Sequence, residues 1–345
     1  MRVLLTGSAG FIGGAVARAL DAEDVDVVGV DALLPSAHPA DAVLPEGTLR
    51  LDVRDPAGWE DALRGIDVVC HQAALVGAGV TVDDLPDYAA INDLGTATLL
   101  AAMHRAGVHR LVLASSMVVY GEGRYACAEH GVQPTPARHL SDLDAGVFDH
   151  RCPVCRAPLS WALVDEDAPV DPRSSYAASK VAQEHYARAW ARQASGSVVA
   201  LRYHNVYGPG MPRDTPYSGV AAMFRSAIAR GEAPRVFEDG GQMRDFVHVD
   251  DVALANVAAI RAVATAAPGH GAAYNVCSGH PVSIGEVARL LAGGTGLAPV
   301  VTGQYRLGDV RHVVASPQRA AAELGFTAQV HPEVGLPDVA TAPLR

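Results

Sequence analysis

Three side chains in the middle of the sequence have the types and spacing that proton transfer requires. Tyr176 and Lys180 stand four positions apart, so on a helix the phenol and the ammonium group lie on one face. A nearby cation lowers the pKa of a phenol, which makes this tyrosine a candidate base near neutral pH. Two hydroxyl residues, Ser115 and Ser116, directly follow the apolar run 111–114. Because Tyr-x-x-x-Lys is common by chance, its interpretation depends on the surrounding elements.

The first thirty-one residues predict a dinucleotide-binding element. An apolar run at 3–5 leads into glycines at 7, 10 and 13, then a helical period, then a second apolar run that ends on Asp31. Such glycines allow a tight turn, close approach to a pyrophosphate and close helix packing, and the helix N-terminus faces the phosphates. Asp31 is placed to accept hydrogen bonds from the adenosine ribose. No Arg or Lys lies within 25–49, which favours NAD over NADP.

The predicted cofactor-binding residues come from this glycine loop and from the ends of later strands. Asp52 ends a third strand and could reach an adenine edge, and the small residues after a fourth strand let backbone pass close to the cofactor. The full predicted set is Gly7, Gly10, Phe11, Ile12, Gly13, Asp31, Asp52, Val53, Gln72, Ala73, Ala74, Asn92, Ser115, Tyr176 and Lys180.

Composition restricts the class of protein. The chain has 345 residues, 49% of them hydrophobic, which is enough for a large core. A net charge of −11 disfavours nucleic-acid and anionic-membrane partners, and no run has the length of a membrane span or a signal peptide. A cytoplasmic enzyme is expected. The βαβα alternation predicts a Rossmann-type, doubly wound parallel sheet with ligands at the carboxyl ends of its strands.

Two further segments, 202–209 and 244–251, complete a recognisable set. With the glycine loop, Asp31, the serine pair and the Tyr-x-x-x-Lys motif, they resemble the extended short-chain dehydrogenase/reductase family, and within it the nucleotide-sugar epimerases and dehydratases. The resemblance runs from residue 1 to about 326 and is interrupted by one insert. It implies an NAD-binding domain at 1–204 and a mainly substrate-binding lobe at 205–345, with 244–262 returning to the core. The Pro-rich tail from 332 is expected to be poorly ordered.

The resemblance also implies roles for the site residues. Tyr176 would take the sugar hydroxyl proton, Lys180 would bind the nicotinamide ribose and lower the pKa of the tyrosine, and Ser116 would contact the reacting oxygen. The substrate diphosphate would be held by Asn205, Arg244 and Arg311. Relatives dimerise through helices equivalent to 92–107 and 176–194, so a homodimer is expected.

The two residues after Ser116 distinguish between members of this family. Dehydratases place Asp-Glu there to expel water, whereas this chain has Met117 and Val118, neither of which transfers a proton. An epimerase needs only reversible oxidation of the sugar, for which Ser116, Tyr176 and Lys180 suffice. The favoured function is therefore an NAD-dependent nucleotide-sugar 4-epimerase.

The segment between the serine pair and the Tyr-x-x-x-Lys motif contains an insert at about 124–165. It carries C-x₂-H at Cys127 and His130 and C-x₂-C at Cys152 and Cys155. Three thiolates and one imidazole in paired spacing match a closed structural zinc site. The alternative is a set of scattered cysteines beside a loop histidine. A nucleic-acid-binding zinc ribbon is disfavoured by the acidic chain.

An insert of this kind resembles that of a bacterial group of dTDP-L-rhamnose 4-epimerases, which form dTDP-6-deoxy-L-talose. That pair of sugars is the favoured substrate and product. Three alternatives stay open: a UDP-glucose or UDP-glucuronate 4-epimerase, a nucleotide-sugar 4,6-dehydratase or 4-ketoreductase, and a non-enzymatic NAD-sensing protein.

Overall fold

The structure is a computed structural model that describes residues 1–35, 37–39, 41–77, 81–213 and 219–344. Its strands are β1 (Arg2–Thr6), β2 (Asp26–Asp31), β3 (Leu49–Arg50), β4 (Val68–His71), β5 (Arg110–Ser116), β6 (Arg124–Cys127), β7 (Gly131–Gln133), β8 (Ser160–Ala162), β9 (Ser197–Tyr203), β10 (Asn205–Tyr207), β11 (Arg235–Val236), β12 (Met243–His248), β13 (Gly271–Val276), β14 (Pro281–Ser283) and β15 (Val300–Val301).

The helices lie mostly between these strands. They are α1 (Phe11–Asp21), α2 (Trp59–Ala62), α3 (Leu85–Tyr88), α4 (Gly95–Ala106), α5 (Leu140–Asp144), α6 (Ser175–Gln193), α7 (Val220–Ala229), α8 (Val249–Thr265), α9 (Ile284–Ala292) and α10 (Pro332–Val339), with shorter or wider turns at Val82–Asp84, Ala89–Leu94, Met117–Tyr120 and Ala320–Leu324. Within the described ranges, no helix is both long and apolar enough to cross a membrane.

A seven-stranded parallel sheet in the order β13-β9-β5-β4-β1-β2-β3 confirms the predicted Rossmann-type fold. Alternate residues of a strand face opposite sides of the sheet. Leu5 packs with α1 and α8 on one face, and Leu4 packs with α4 and α6 on the other. Because both faces are covered, the open edge for a ligand is formed by the carboxyl ends of the strands.

The part of the C-terminal half that belongs to this core extends beyond the predicted 244–262. Helix α8 packs against α1, and β13, at 271–276, forms the outer strand of the sheet beside β9. The remaining segments form a lobe around the sheet β10-β12-β14 and helices α7, α9 and α10.

The expectation of a poorly ordered tail is wrong. Pro332 starts α10, where its missing N–H costs nothing, and the helix buries Leu336 and Val339 against Tyr207 in the lobe core. The predicted insert forms a three-stranded antiparallel sheet in the order β7-β6-β8. In the sequence, helix α5 lies between β7 and β8.

Candidate active site

The glycine loop between β1 and α1 brings backbone into close contact with the end of β4. Gly7 has a φ of +66°, and a Cβ there would lie 2.8 Å from the backbone nitrogen of Ala73. A Cβ on Gly13 would lie 2.0 Å from the carbonyl oxygen of Gly7, so a larger residue would push α1 away from the strand. Gly10 is the N-cap of α1 and provides no side-chain cap. The first N–H groups of α1 are therefore oriented as a pyrophosphate requires.

Asp31 ends β2 with a carboxylate that is already anchored by the protein. Oδ2 accepts from the N–H of Ala9 at 3.0 Å, Oδ1 accepts from the N–H of Leu33 at 2.9 Å, and the His38 ring nitrogen Nε2 lies 3.3 Å from Oδ1. Burial raises the pKa of Asp31, but the hydrogen bonds from His38 and the two amides outweigh this effect and lower it. The carboxylate is thus ionised and fixed in orientation. Sequence spacing gave no signal for His38.

The loop and the carboxyl ends of the strands enclose a cavity of about 550 Å³. Its apolar walls include Leu34, Leu51 and Ile91. The predicted NAD-binding residues that line it are Gly7, Gly10, Phe11, Ile12, Gly13, Asp31, Asp52, Val53, Gln72, Ala73, Ala74, Ser115, Tyr176 and Lys180.

Asn92 lies behind the cavity wall instead of lining it. Its side-chain oxygen accepts from the N–H of Leu75 at 2.8 Å, and its nitrogen donates to the carbonyl of Leu75 and to Ser179 Oγ. Since its polar atoms are used in this way, Asn92 holds Leu75 in the wall. The sequence predicted that Asn92 contacts the cofactor, whereas the structure places it behind the cavity wall, where it supports Leu75.

Tyr176, Lys180 and Ser116 come together where β5 and α6 border the cavity. Ser174 caps α6 by accepting from the N–H of Ala177, which places Tyr176 in the first turn and Lys180 one turn later. Ser116 lies close enough to the Tyr176 hydroxyl to lower its pKa. The Lys180 ammonium nitrogen lies 5.8 Å from the centre of the tyrosine ring. This arrangement can exchange a proton with a hydroxyl group bound in the cavity.

Burial controls the protonation of both groups. It raises the pKa of Tyr176 to about 12, and the effect of Ser116 offsets only part of that. It lowers the pKa of Lys180 to about 7, although Glu184 and Asp93 favour the ammonium form. The sequence predicted that Lys180 lowers the pKa of Tyr176, but in the protein alone that pKa is raised. In the protein alone, burial therefore favours the neutral phenol of Tyr176 at neutral pH.

A buried ion pair supports α6 beneath these groups. Glu184 accepts from Arg202 at 2.9 and 2.8 Å, and Ser115 Oγ donates to it at 2.6 Å. Glu184 was not among the predicted site residues, although the spacing 176, 180, 184 places it on the same face of the helix as Tyr176 and Lys180. Arg202 lies on a neighbouring strand, where spacing gives no such signal.

The three predicted substrate residues are placed near one another by the lobe sheet. Asn205 starts β10, which pairs in parallel with the β12 strand that carries Arg244. Arg244 donates to the carbonyls of Arg311 at 2.8 Å and Val310 at 2.6 Å. The side-chain oxygen of Asn205 is buried and has no hydrogen-bond partner within the described ranges. An acceptor without a donor is consistent with a ligand contact at this position.

Arg311 is surrounded by carboxylates. Its Nε donates to Asp149 at 2.7 Å, one terminal nitrogen donates to Glu238 at 2.8 Å and to Asp239 at 2.7 Å, and the other donates to Asp239 at 2.9 Å. The predicted phosphate ligand is therefore held by the protein's own anions. These partners lie 72 to 162 positions away in the sequence, so spacing did not indicate them.

The model of the NAD dependent epimerase/dehydratase family matches residues 3–140 and 160–277. The chain belongs to this family. A dTDP-L-rhamnose 4-epimerase of Burkholderia thailandensis is 33% identical over 353 aligned residues, which cover 99% of this chain and 94% of that protein. A UDP-glucose 4-epimerase of Mycolicibacterium smegmatis is 34% identical over 341 residues, covering 96% of this chain and 94% of that protein.

Among solved structures, this epimerase/dehydratase chain is similar to MoeE5 in complex with UDP-glucuronic acid and NAD. The identity is 32% and the TM-score 0.75, over 97% of this chain and 96% of that one. These relatives support an NAD-dependent nucleotide-sugar epimerase. The NAD in the MoeE5 complex is also consistent with the cavity of this chain, where a Cβ at Gly7 or Gly13 would clash with backbone atoms.

The epimerase/dehydratase model leaves residues 141–159 unmatched, and this segment carries two of the four predicted metal ligands. The ligand atoms of Cys127, His130, Cys152 and Cys155 all lie within 4.8 Å of one another. Cys127 Sγ lies 3.6 Å from Cys155 Sγ and 3.5 Å from His130 Nδ1. In a tetrahedral zinc site with Zn–S bonds of about 2.3 Å, neighbouring ligand atoms are roughly 3.5–3.8 Å apart. The cluster therefore fits such an ion.

Proposed function

We propose that this protein is a nucleotide-sugar 4-epimerase. The observation that carries the proposal is the meeting of Tyr176, Lys180 and Ser116 beside the cofactor cavity, with Met117 and Val118 next to them. Elimination of water would need an acid and a base at those two positions. Inversion at one carbon needs a single group that takes a proton and returns it, which Tyr176 provides.

Each catalytic side chain has one task in this proposal. NAD, which the glycine loop and Asp31 would hold in the cavity, would supply a reversible acceptor for the C4 hydride and a positive charge that favours the Tyr176 phenolate. Tyr176 takes the proton from the C4 hydroxyl, and Ser116 donates a hydrogen bond to the same oxygen. The 4-keto sugar then turns over, the hydride would return to the opposite face of C4, and Tyr176 returns the proton to the C4 oxygen. Because oxidation is reversed within one turnover, no external reductant is consumed.

We propose dTDP-L-rhamnose and dTDP-6-deoxy-L-talose as the substrate pair. Support comes from the Burkholderia thailandensis relative, which matches almost the whole of both chains. UDP-glucose and UDP-glucuronate are the second candidates, since the Mycolicibacterium smegmatis relative and the MoeE5 complex carry those names at similar identity.

Incubation with a panel of dTDP- and UDP-sugars, without added cofactor, tests the proposal. We expect NMR to show inversion at C4 of dTDP-L-rhamnose. Faster inversion of a UDP-sugar than of dTDP-L-rhamnose would make that UDP-sugar the assigned substrate. A requirement for stoichiometric NADH would indicate a ketoreductase, loss of water a dehydratase, and bound NAD without any turnover an NAD-sensing protein.

We also propose that zinc occupies the Cys127–His130–Cys152–Cys155 cluster as a structural ion. Four protein ligands close the coordination sphere, so the ion would hold β6 and the unmatched segment together and would not bind substrate. Metal analysis should find one zinc per chain in the wild type and in the Cys277→Ser control, whose cysteine is buried outside the cluster. Cys152→Ser should lose it. A wild type without stoichiometric zinc would refute the proposal.

A homodimer is the expected assembly. Leu94 is 55% exposed beside α4, and Tyr186 on α6 is 47% exposed, so both helices offer apolar surface for a second copy. Light scattering should give twice the chain mass of 35.9 kDa. The mass of a single chain at micromolar concentration would contradict this expectation.

A further inference from the structure

The three carboxylates around Arg311 are not held equally. Glu238 is 2% exposed and also pairs with Arg138 at 2.7 Å, so it is fixed on two sides. Asp239 is half-exposed, but both of its oxygens accept from Arg311, and one also accepts from the N–H of Gly241 at 2.8 Å. Two of the three anions therefore belong to the permanent framework of the site.

Asp149 is attached differently. It meets the Arg311 guanidinium through one oxygen, which accepts from Nε at 2.7 Å and lies 3.3 Å from the His312 ring nitrogen. Its side chain is 48% exposed, whereas that of Arg311 is 3% exposed. Like Asp239, it lies on the solvent side of a buried cation, but it meets the guanidinium through one oxygen, whereas Asp239 uses both of its oxygens.

The position of Asp149 in the chain supports the same distinction. It lies in the insert, within the stretch 141–159 that the family model leaves unmatched, and follows α5 by a few residues. Glu238 and Asp239 lie within the matched part. Asp149 thus comes from the insert, whereas the other two carboxylates come from the part of the chain that the family model matches.

Charge balance shows what this addition does. Two guanidinium groups, those of Arg311 and Arg138, face three carboxylates, so a diphosphate that approaches Arg311 still meets an excess of negative charge at short range. Of the two half-exposed carboxylates, Asp149 makes only one hydrogen bond to Arg311, so it separates from the guanidinium at the lower cost. Its departure frees the Nε donor for a phosphate oxygen, which forms equally strong charge-assisted bonds.

We infer that Asp149 is an exchangeable carboxylate that occupies Arg311 until the diphosphate of the nucleotide sugar replaces it. Asp149 thereby weakens diphosphate binding and keeps Arg311 ion-paired between turnovers. This inference rests on the proposed function, in which Arg311 holds the substrate phosphates. The competing explanation is that Asp149 only orients Arg311 and stays in place when the diphosphate binds.

Calorimetric binding of dTDP and of UDP to the NAD-loaded protein separates these explanations. Asp149→Asn keeps the shape of the side chain and an acceptor for Nε but removes the charge. The matched control is Asp165→Asn, because Asp165 is 47% exposed, lies at the end of the insert and pairs with Arg124 at 3.1 Å, away from Arg311. We expect Asp149→Asn to bind the diphosphates roughly tenfold more tightly and Asp165→Asn to match the wild type.

Equal or weaker binding by Asp149→Asn with a normal NAD content would overturn the inference. If neither the variants nor the wild type bound dTDP or UDP, the proposed function would fail instead. Hydrogen exchange on the wild type gives a second reading that needs no variant. Addition of dTDP should increase exchange at 145–151 while protecting 310–313, and protection of both segments would mean that Asp149 stays in place.

Discussion

The cofactor end and the substrate end of the site are held together by different kinds of contact. At the cofactor end, Gly7 and Gly13 let backbone approach backbone, and a Cβ at either would lie within 2.8 Å of a neighbouring atom. At the substrate end, side chains do this work: Arg311 joins the carboxylates of Asp149, Glu238 and Asp239. One end depends on small volume, and the other depends on balanced charge.

This difference determines how each end responds to change. The glycine loop is built within one strand-turn-helix unit, so an insert elsewhere leaves it intact. The charged end joins segments far apart in the sequence, because Glu122 accepts from the N–H of Arg311, 189 positions away. Changes in the insert should therefore act on substrate binding while NAD stays in place.

Removal of the Tyr176 hydroxyl should give the largest effect. Tyr176→Phe keeps the ring that packs 5.9 Å from Tyr88 but lacks the group that exchanges the proton. We expect turnover to fall roughly 10²–10⁴-fold with NAD content unchanged. The matched control is Tyr186→Phe, which removes a hydroxyl from the same helix at the proposed dimer surface but keeps the apolar ring there, and which should retain full turnover. Equal turnover in the two variants would remove Tyr176 from the mechanism.

Two adjacent glycines in α1 test the volume argument at the cofactor end. Gly13→Ala places a Cβ 2.0 Å from the carbonyl oxygen of Gly7, whereas the Cβ of Gly14→Ala has no neighbour closer than 3.8 Å. We expect Gly13→Ala to lose bound NAD and to destabilise the fold by roughly 1–3 kcal/mol. Gly14→Ala should keep NAD and be stabilised by about 0.5–1 kcal/mol. NAD content and urea midpoints measure both, and retention of NAD by Gly13→Ala would contradict the argument.

The difference between the cofactor end and the substrate end also explains which site residues could be predicted from the sequence. The glycine loop, Asp31 and the pair Tyr176–Lys180 were predictable because each is a local pattern with one geometry. Asn92 was assigned to the cofactor, yet its amide faces Leu75. Local spacing shows which element carries a residue and not which way its polar atoms point.

The charged end and the pKa values had no such local signal. The carboxylate partners of Arg311 come from two separate segments, at 149 and at 238–239, and the pKa of Tyr176 depends on burial that only the folded chain defines. The tail was misjudged for a related reason. Its prolines suggested disorder, while Leu336 and Val339 had a helical spacing that a lobe core could bury.

Lys180 allows a direct measurement of burial at the catalytic end, because it is the only lysine in the chain. Carbon-13 labelling of lysine therefore gives one signal, which should titrate with a midpoint of about 7 in the NAD-free protein, against about 10.4 in an unfolded chain. Between these values the unfolded state binds the extra proton, so the contribution of Lys180 to stability should rise with pH from about 7 to about 10.

A comparison with Lys180→Met checks the sign. The difference in unfolding free energy between wild type and variant should move in favour of the wild type as pH rises through that window. A midpoint near 10 for the lysine signal, together with a difference that does not depend on pH, would show that burial does not control this ammonium group.

Removal of the proposed zinc from the insert should give the smallest effect, and we expect it to act only on the substrate end of the site. The strand that carries Cys127 also carries Tyr125, whose hydroxyl accepts from the N–H of His312 at 2.8 Å. If the cluster loosens, this bond and the Glu122 contact with Arg311 weaken. Loss of about 0.5–1.5 kcal/mol per hydrogen bond corresponds to a KM for the nucleotide sugar that rises roughly two- to tenfold.

NAD content should not change on chelation, because the glycine loop has no part in the insert. Cys152→Ser should reproduce the higher KM without chelator and should show no further response to it, while Cys277→Ser should behave as wild type. The sign is opposite to that expected for Asp149→Asn, which tightens diphosphate binding without disturbing the cluster. Loss of NAD together with the metal would show that the two ends are coupled, and the separation between backbone-built and charge-built regions would then be wrong.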